Sequence, residues 1–357
     1  MRKSIIVTDT ESEVRIPAWM APSGWFVVGW SHELASGDIK PLKVFGQELV
    51  LYRSTGGELN SLEATCQHLG AHLGYGGKVV DDCIVCPFHG WTWGPDGQNV
   101  AVPEGRTSKR RIEPWPVCER NGIIYLWHDV AGQPPKWSMP DLFEDLRDEY
   151  PTGEFWDVAT AHSAFGYGDL RIEPRVVAEN IVDPIHFRYV HHTRDLPTLI
   201  DYQVTDDFFM TKLRVHSRGK RKLDGPRRED TVTLKHWGVG MAYTRFSGRD
   251  NTHSVISVTP VDAQTSTLRQ TLFVEKIDGE SDDERSARIK AIESVFPEDL
   301  AIWQHQRFIE PPSLQTQEAK LFRMMRRWAL TFQPKAGEYG SLSPNRAPDA
   351  AFSAGEG

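Results

Sequence analysis

Two short segments constrain this chain more than any other feature: Cys66-Gln67-His68 and, after a gap of seventeen residues, Cys86-Pro87-Phe88-His89. Each supplies one thiolate and one imidazole, so the two are expected to fold as neighbouring loops offering mixed ligands to one metal group. Zinc also takes two Cys and two His. Zinc fingers, however, keep the two Cys together on a hairpin and the two His together on a helix, whereas here they alternate between segments. Gly70, Gly74 and Gly90 allow the tight turns such loops need. Cys83 forms a Cys-x2-Cys with Cys86, but as a ligand it would be one too many. It is read, like the isolated Cys118, as a buried structural thiol. Four cysteines in 357 residues make a poor disulfide framework, and three of them lie between 66 and 86. That clustering points to a metal site in a reducing cytoplasm.

An iron–sulfur centre that gives two Cys to one iron and two His to the other fits this alternation, and the imidazoles raise its potential above that of an all-Cys ferredoxin. The runs Cys66-Gln-His-Leu-Gly-Ala-His-Leu-Gly and Cys86-Pro-Phe-His-Gly-Trp resemble the cluster-binding loops of Rieske oxygenases. The resemblance assigns Cys66, His68, Cys86 and His89 to a [2Fe-2S] cluster and leaves His72 as a packing or hydrogen-bonding neighbour.

The chain is long enough for two domains. From Trp25 to Val130 short β-rich runs (Trp25-Phe-Val-Val-Gly, Glu48-Leu-Val-Leu-Tyr, Gly122-Ile-Ile-Tyr-Leu-Trp) alternate with the hairpin signals Gly56-Gly57 and Pro95-Asp96-Gly97. Gly132-Gln-Pro-Pro135 marks a boundary. The expected organisation is α+β: an antiparallel β domain carrying the cluster over 20–135, then a catalytic domain over 136–335 with a central antiparallel sheet flanked by helices. Residues 1–19 are expected to pack on the latter, and 336–357 to form a flexible tail. Helices are predicted at Val176–Val190, Asp282–Val295, Glu298–Arg307 and Leu321–Ala329. Strands are predicted at Phe209–Val215, Met241–Phe246, Ser254–Thr259 and Thr271–Val274. Trp237, Met241, Tyr243 and Phe246 are pocket candidates, though residues in such runs are more often core.

A net charge of -8 argues against nucleic acid or an anionic membrane as the main partner. No run reaches membrane-spanning length, and Ile5-Ile6-Val7 is too short for a signal-peptide core. The basic run Ser217-Arg-Gly-Lys-Arg-Lys-Leu-Asp-Gly-Pro-Arg-Arg reads as a solvated hairpin tip, with a docking patch for an acidic redox partner as the sharper alternative.

The second constellation is Glu179-Asn180-Ile-Val-Asp183-Pro-Ile-His186-Phe-Arg-Tyr-Val-His191. A non-haem Fe(II) oxygenase needs two His and one carboxylate on one face of the metal, leaving positions open for O2. His186 and His191 are candidates, but five residues of regular helix turn a side chain by roughly 140°. Both can face one ion only if the helix ends or distorts between them. Asp-x2-His-x4-His resembles the iron motif of the same family, and Pro184 gives the segment a reason to be irregular. The resemblance picks His191 over the adjacent His192 and places Asn180 near the iron. It also makes Asp183 the bridge from His186 to the cluster ligand His89 of a neighbouring subunit. Asp183 read alone is a helix cap or a surface acid. The third ligand is expected to be Asp299 in Phe296-Pro-Glu-Asp-Leu-Ala-Ile-Trp303, with Glu298 as the fallback. A helix start explains that proline and those acids equally well.

Asp183-x2-His-Phe-x-Tyr-Val-His, Leu196-Pro-Thr and Glu298-Asp-Leu-Ala-Ile-Trp-Gln-His-Gln together resemble the oxygenase component of 3-ketosteroid 9α-hydroxylase. That resemblance implies a homotrimer served by a separate flavin and iron–sulfur reductase, or by a ferredoxin with its reductase, which draws its electrons from NADH. The reaction it implies is O2-dependent hydroxylation of a small, bulky, apolar organic substrate. O- or N-demethylation and arene cis-dihydroxylation are the alternatives. A Rieske electron carrier or redox sensor without oxygen chemistry is the reading from another class.

Overall fold

A computed structural model describes residues 16–144, 154–193, 195–217, 228–247 and 251–334. The tail expected over 336–357, residues 1–15 and most of the basic run lie outside the described residues.

Ten short strands come first: β1 (Gly24–Trp30), β2 (Ile39–Val44), β3 (Gln47–Arg53), β4 (Leu59–Glu63), β5 (Lys78–Val80), β6 (Cys83–Val85), β7 (Thr92–Trp93), β8 (Asn99–Ala101), β9 (Val117–Arg120) and β10 (Ile123–His128). They form three antiparallel sheets, ordered β1-β10-β9, β2-β3-β4 and β5-β6-β7-β8. The hairpin signals at Gly56-Gly57 and Pro95-Asp96-Gly97 join β3 to β4 and β7 to β8.

Seven further strands make one antiparallel sheet: β11 (Ala164–Leu170), β12 (Thr198–Val204), β13 (Phe208–Ser217), β14 (Arg228–Trp237), β15 (Met241–Ser247), β16 (Thr252–Pro260) and β17 (Ser266–Val274). Their order is β11-β17-β16-β15-β14-β13-β12, a meander from β12 to β17 with β11 added beside the last strand. Helices Asp282–Glu293, Phe296–Trp303 and Ala319–Leu330 follow. The first is capped by Ser281, whose hydroxyl accepts from the Glu284 backbone while Glu284 returns a bond to the Ser281 amide.

All seven residues of β1 are buried, because the strand lies between two layers. Successive side chains point to opposite faces. Trp25, Val27 and Trp30, with Tyr125 and Trp127, pack against Met241, Tyr243, Val255 and Phe273 of the large sheet. Phe26 and Val28 pack the other way, on Leu42, Val44, Leu49 and Leu51. A β-bulge between Val27 and Gly29 frees backbone groups that the large sheet satisfies. Val27 N donates to Ser257 Oγ at 3.0 Å, and Val27 O accepts from Thr259 Oγ1 at 2.8 Å and Arg269 Nη1 at 3.0 Å.

Trp237, Met241 and Tyr243 therefore belong to this inter-layer core, and Phe246 is exposed. Of the N-terminal segment, Ile16 packs among Phe26 and Phe45, while Trp19 lies 4.6 Å from the Arg175 guanidinium.

Candidate metal centres

The two loops carrying Cys66 and Cys86 close in the same way. Cys66 N donates to Ala71 O and Gly70 N to Cys66 O, at 2.9 and 3.0 Å; Cys86 N donates to Trp91 O and Gly90 N to Cys86 O, at 2.8 and 3.1 Å. Each loop thus reads Cys, three residues, then a glycine in the left-handed region, with φ +78° at Gly70 and +69° at Gly90. Gly74 has no positive φ; its constraint is space, since a Cβ there would lie 2.9 Å from His72.

The loops bring together all four expected cluster residues. Cys66 and Cys86 are buried, and burial, with the neighbouring Cys86 sulfur, pushes the Cys66 thiol up. The His68 and His89 rings have centroids 4.7 Å apart, and His68 stacks on Trp91 at 4.5 Å. His68 Nδ1 is buried without a partner. A paired-thiol, paired-imidazole set with an orphaned ring nitrogen fits a two-iron cluster.

His72 accepts from Gly74 N at 3.0 Å through Nδ1, a loop-bracing contact. Cys83 is half-buried with Asp82 beside it, and Cys118 is half-buried against the inter-layer core rather than within it.

The second constellation departs from one helix over Val176–Val190. A helix Pro174–Ala178 tightens into a 3-10 turn Glu179–Val182, breaks at Asp183, and resumes at His186–Tyr189. Asp183 precedes Pro184 and is driven out of the helical region, to φ −110° and ψ 85°. The second helix ends at Tyr189 with Val190 as its C-cap, and His192, beyond it, adopts φ +53°. The helix end at Tyr189 is the feature that falls between the two histidines, and the His186 and His191 rings stand with centroids 5.3 Å apart.

Asp299, in the first turn of helix Phe296–Trp303, completes a triad. Ligand atoms of His186, His191 and Asp299 all lie within 4.8 Å of one another. His191 Nε2 is 3.2 Å from Asp299 Oδ2. Its other nitrogen, Nδ1, donates to Glu298 Oε2 at 3.1 Å. Glu298 thus sits behind His191, away from the triad. His186 Nδ1–H donates to the Asp183 carbonyl, which turns Nε2 toward the same centre.

Burial lowers the His186 pKa and keeps that ring neutral, as a metal ligand requires. Burial also opposes charge on His191, but hydrogen bonds to Asp299 and Glu298 outweigh it and raise its pKa. Two imidazoles and one carboxylate on one side of a point suit Fe(II) with open positions.

Asp183 does not reach His186 across a helix face with its carboxylate. Its Oδ1 accepts from the Ile185 and His186 amides at 3.0 and 3.3 Å, so it caps the helix that carries His186. Asn180 is half-buried in the 3-10 turn. Glu179, which the sequence did not single out, pairs with Arg326 of helix Ala319–Leu330 and anchors that turn.

Residues 24–116 match the Rieske [2Fe-2S] domain, and residues 126–333 match the 3-ketosteroid 9alpha-hydroxylase C-terminal domain. A 3-ketosteroid-9-alpha-monooxygenase oxygenase component of Rhodococcus rhodochrous is 28% identical over 320 residues, covering 85% of this chain and 82% of the relative. Cholesterol 7-desaturase of Xenopus laevis is 28% identical over 338 residues, covering 87% and 71%. The crystal structure of dicamba monooxygenase bound to dicamba superposes with a TM-score of 0.63 at 18% identity, over 86% of this chain and 97% of that one, a likeness of fold. Among the described residues no helix is long and apolar enough to cross a membrane. The chain belongs to the Rieske non-haem iron oxygenases of the 3-ketosteroid 9α-hydroxylase family, oxidoreductases that carry a [2Fe-2S] cluster and a mononuclear iron.

Proposed function

We propose that this chain is the terminal component that hydroxylates a bulky, apolar, steroid-like ring system, with Cys66, His68, Cys86 and His89 holding the cluster and His186, His191 and Asp299 holding the iron. The observation that carries this reading is the convergence of His186, His191 and Asp299 from separated segments onto one point. A purely electron-carrying protein has no use for it. The steroid-like substrate rests on the relatives, which are named for steroid hydroxylation and cholesterol desaturation.

When bound, the two centres supply electrons and O2 activation. What the chain itself does is hold the two imidazoles in place. The Asp183 carbonyl fixes the His186 tautomer, Glu298 fixes that of His191, and the apolar packing of Phe187, Phe296 and Trp303 excludes water from the segments behind them.

The cluster residue His89 is exposed, among the exposed Leu69, Tyr75 and Phe88. Ile185 and Tyr189, beside Asp183 and His186, are exposed too. These two apolar patches suit a head-to-tail homotrimer in which one subunit's cluster serves its neighbour's iron through Asp183. Electrons come from a separate reductase that draws on NADH, and the four free thiols suit a reducing cytoplasm. The division of labour assigns 20–135 to the cluster and 136–335 to the iron.

The test is a single turnover. Reduced, iron-loaded protein is mixed with a candidate steroid and 18O2, and one labelled oxygen atom is expected in the product. Oxidation of the cluster without labelled product across steroids and methoxyaromatics would overturn the reading.

A further inference from the structure

On the face of the large sheet beneath the iron-bearing segments, two buried polar side chains lack the partners that burial demands. His236 is 1% exposed, and neither ring nitrogen makes a hydrogen bond; the Gly238 backbone lies beside the ring outside hydrogen-bonding geometry. Burial lowers its pKa to about 3, so the ring is neutral and offers one donor and one acceptor. Gln270 is 5% exposed; its Nε2 donates to Ser254 Oγ at 3.3 Å, and Oε1 has no partner. A buried donor or acceptor without a partner has given up its hydration for nothing in return. Two of them on one face mark a place where a molecule other than the protein completes the hydrogen bonding.

The register puts both in one row. His236 lies opposite Ala242, Ala242 opposite Ile256, and Ile256 opposite Gln270. Opposed residues share a face. Three strand spacings separate the ends of the row by about 14 Å.

The iron-bearing segments straddle it. Val232 and Leu234, on the strand of His236, pack with Ile181, Val182 and Phe187. Val258 and Leu268, beside Gln270, pack with Phe296 and Leu300 of the helix that carries Asp299. Between the two ends stand Ala242 and Ile256, both free of polar side-chain atoms.

We propose that His236 and Gln270 determine substrate specificity, hydrogen-bonding oxygen functions at opposite ends of an elongated apolar ring system lying across β14–β17 beneath the iron. This rests on the oxygenase reading above. Allowing for the two hydrogen bonds, the ligand's oxygens stand on the order of 10 Å apart. The Gln270 oxygen accepts from a hydroxyl, and His236 donates to a carbonyl or accepts from a hydroxyl. A hydrocarbon lacking both oxygens is a poor ligand.

The experiment is equilibrium binding to iron-loaded protein without O2. The probes are a steroid oxygenated at both ends and its two analogues, each lacking one of those oxygens. His236→Leu is expected to weaken the doubly oxygenated probe tenfold or more, and to leave one analogue within twofold of its wild-type affinity. Gln270→Leu should do the same with the other analogue spared. Should either variant fail to fold, His236→Phe and Gln270→Met carry the same comparison. Equal losses for all three probes would signal a packing defect and overturn the inference. Unchanged affinities, as expected if water satisfies both groups, would also overturn it, and so would wild-type protein that binds none of the probes. Failure of the oxygenase reading would show separately, as loaded wild-type protein without a mononuclear iron.

Discussion

Glu298 offers the sharpest test of how the iron site is built, because the structure gives it a different job from its neighbour Asp299. His191 presents Nε2 to Asp299 and Nδ1 to Glu298, at 3.2 and 3.1 Å. On the proposed assignment, removing Asp299 removes a ligand, whereas removing Glu298 removes only the carboxylate that orients the ring. Losing such a support costs 10–100-fold in metal affinity, which corresponds to about 1.4–2.7 kcal/mol. The Glu298 side chain is 44% exposed, so water screens and partly replaces it. We therefore expect Glu298→Ala near the lower bound, about tenfold, and Glu298→Gln smaller still, because the amide oxygen can accept the same bond. The assay is anaerobic Fe(II) titration of protein whose mononuclear site has been emptied with a mild chelator, with the visible spectrum reporting an intact cluster. Asp299→Ala should abolish binding in the same titration. Loss of iron binding in Glu298→Ala comparable to that in Asp299→Ala would refute the assignment and make Glu298 the ligand.

Arg326→Met should leave Glu179 buried without its partner and loosen the turn that leads to Asp183; both side chains of the pair are 13% exposed. A loss of about 3 kcal/mol, the lower end for breaking a buried pair, is expected as a lowered denaturation midpoint; an unchanged midpoint would mean the pair anchors nothing. Gly90→Ala forces a side chain into the left-handed region and puts a Cβ 2.9 Å from Pro103. At a cost of about 1–2 kcal/mol plus the clash, cluster absorbance per chain should fall while mononuclear iron binding survives, and a wild-type spectrum would count against the loop geometry. Acid should destabilise the fold through His128, His236 and His253, which burial holds at about 4, 3 and 3 against 6.5 in the unfolded chain. The unfolded state binds the extra protons, so stability falls as pH drops from about 6.5 toward 4, by about 1.4 kcal/mol per histidine per pH unit. Denaturant midpoints measured from pH 7 to pH 4.5 check this, and a flat profile would contradict it.

The candidate metal residues stand out because ligand chemistry leaves a pattern in the sequence: Cys and His alternate at fixed spacing, and the loop glycines follow at the same offset in both segments. The candidate third carboxylate, Asp299, was legible only by resemblance, since a first-turn aspartate after a proline looks like any helix start. The tension between His186 and His191 was also visible. The helix end that falls between them, at Tyr189, was not, because the run from His186 to His192 holds no glycine or proline to mark it. Strands β11 and β12 carry no clear strand signal for a related reason. β12 is largely exposed and carries little apolar alternation, and β11 contains Gly166, Gly168 and Asp169. Their strand character is imposed by pairing with neighbours rather than by local propensity. His236 and Gln270 carry no sequence signal of their own; only the register of four strands puts them in one row.

Iron content per chain, measured on anaerobically reconstituted protein beside the His186→Ala variant, tests the pairing of two centres in one chain most directly. Two irons in the cluster and one at the triad predict about three per chain for the wild type and about two for the variant, with the cluster spectrum unchanged. A wild-type value of about two that His186→Ala leaves untouched would contradict it.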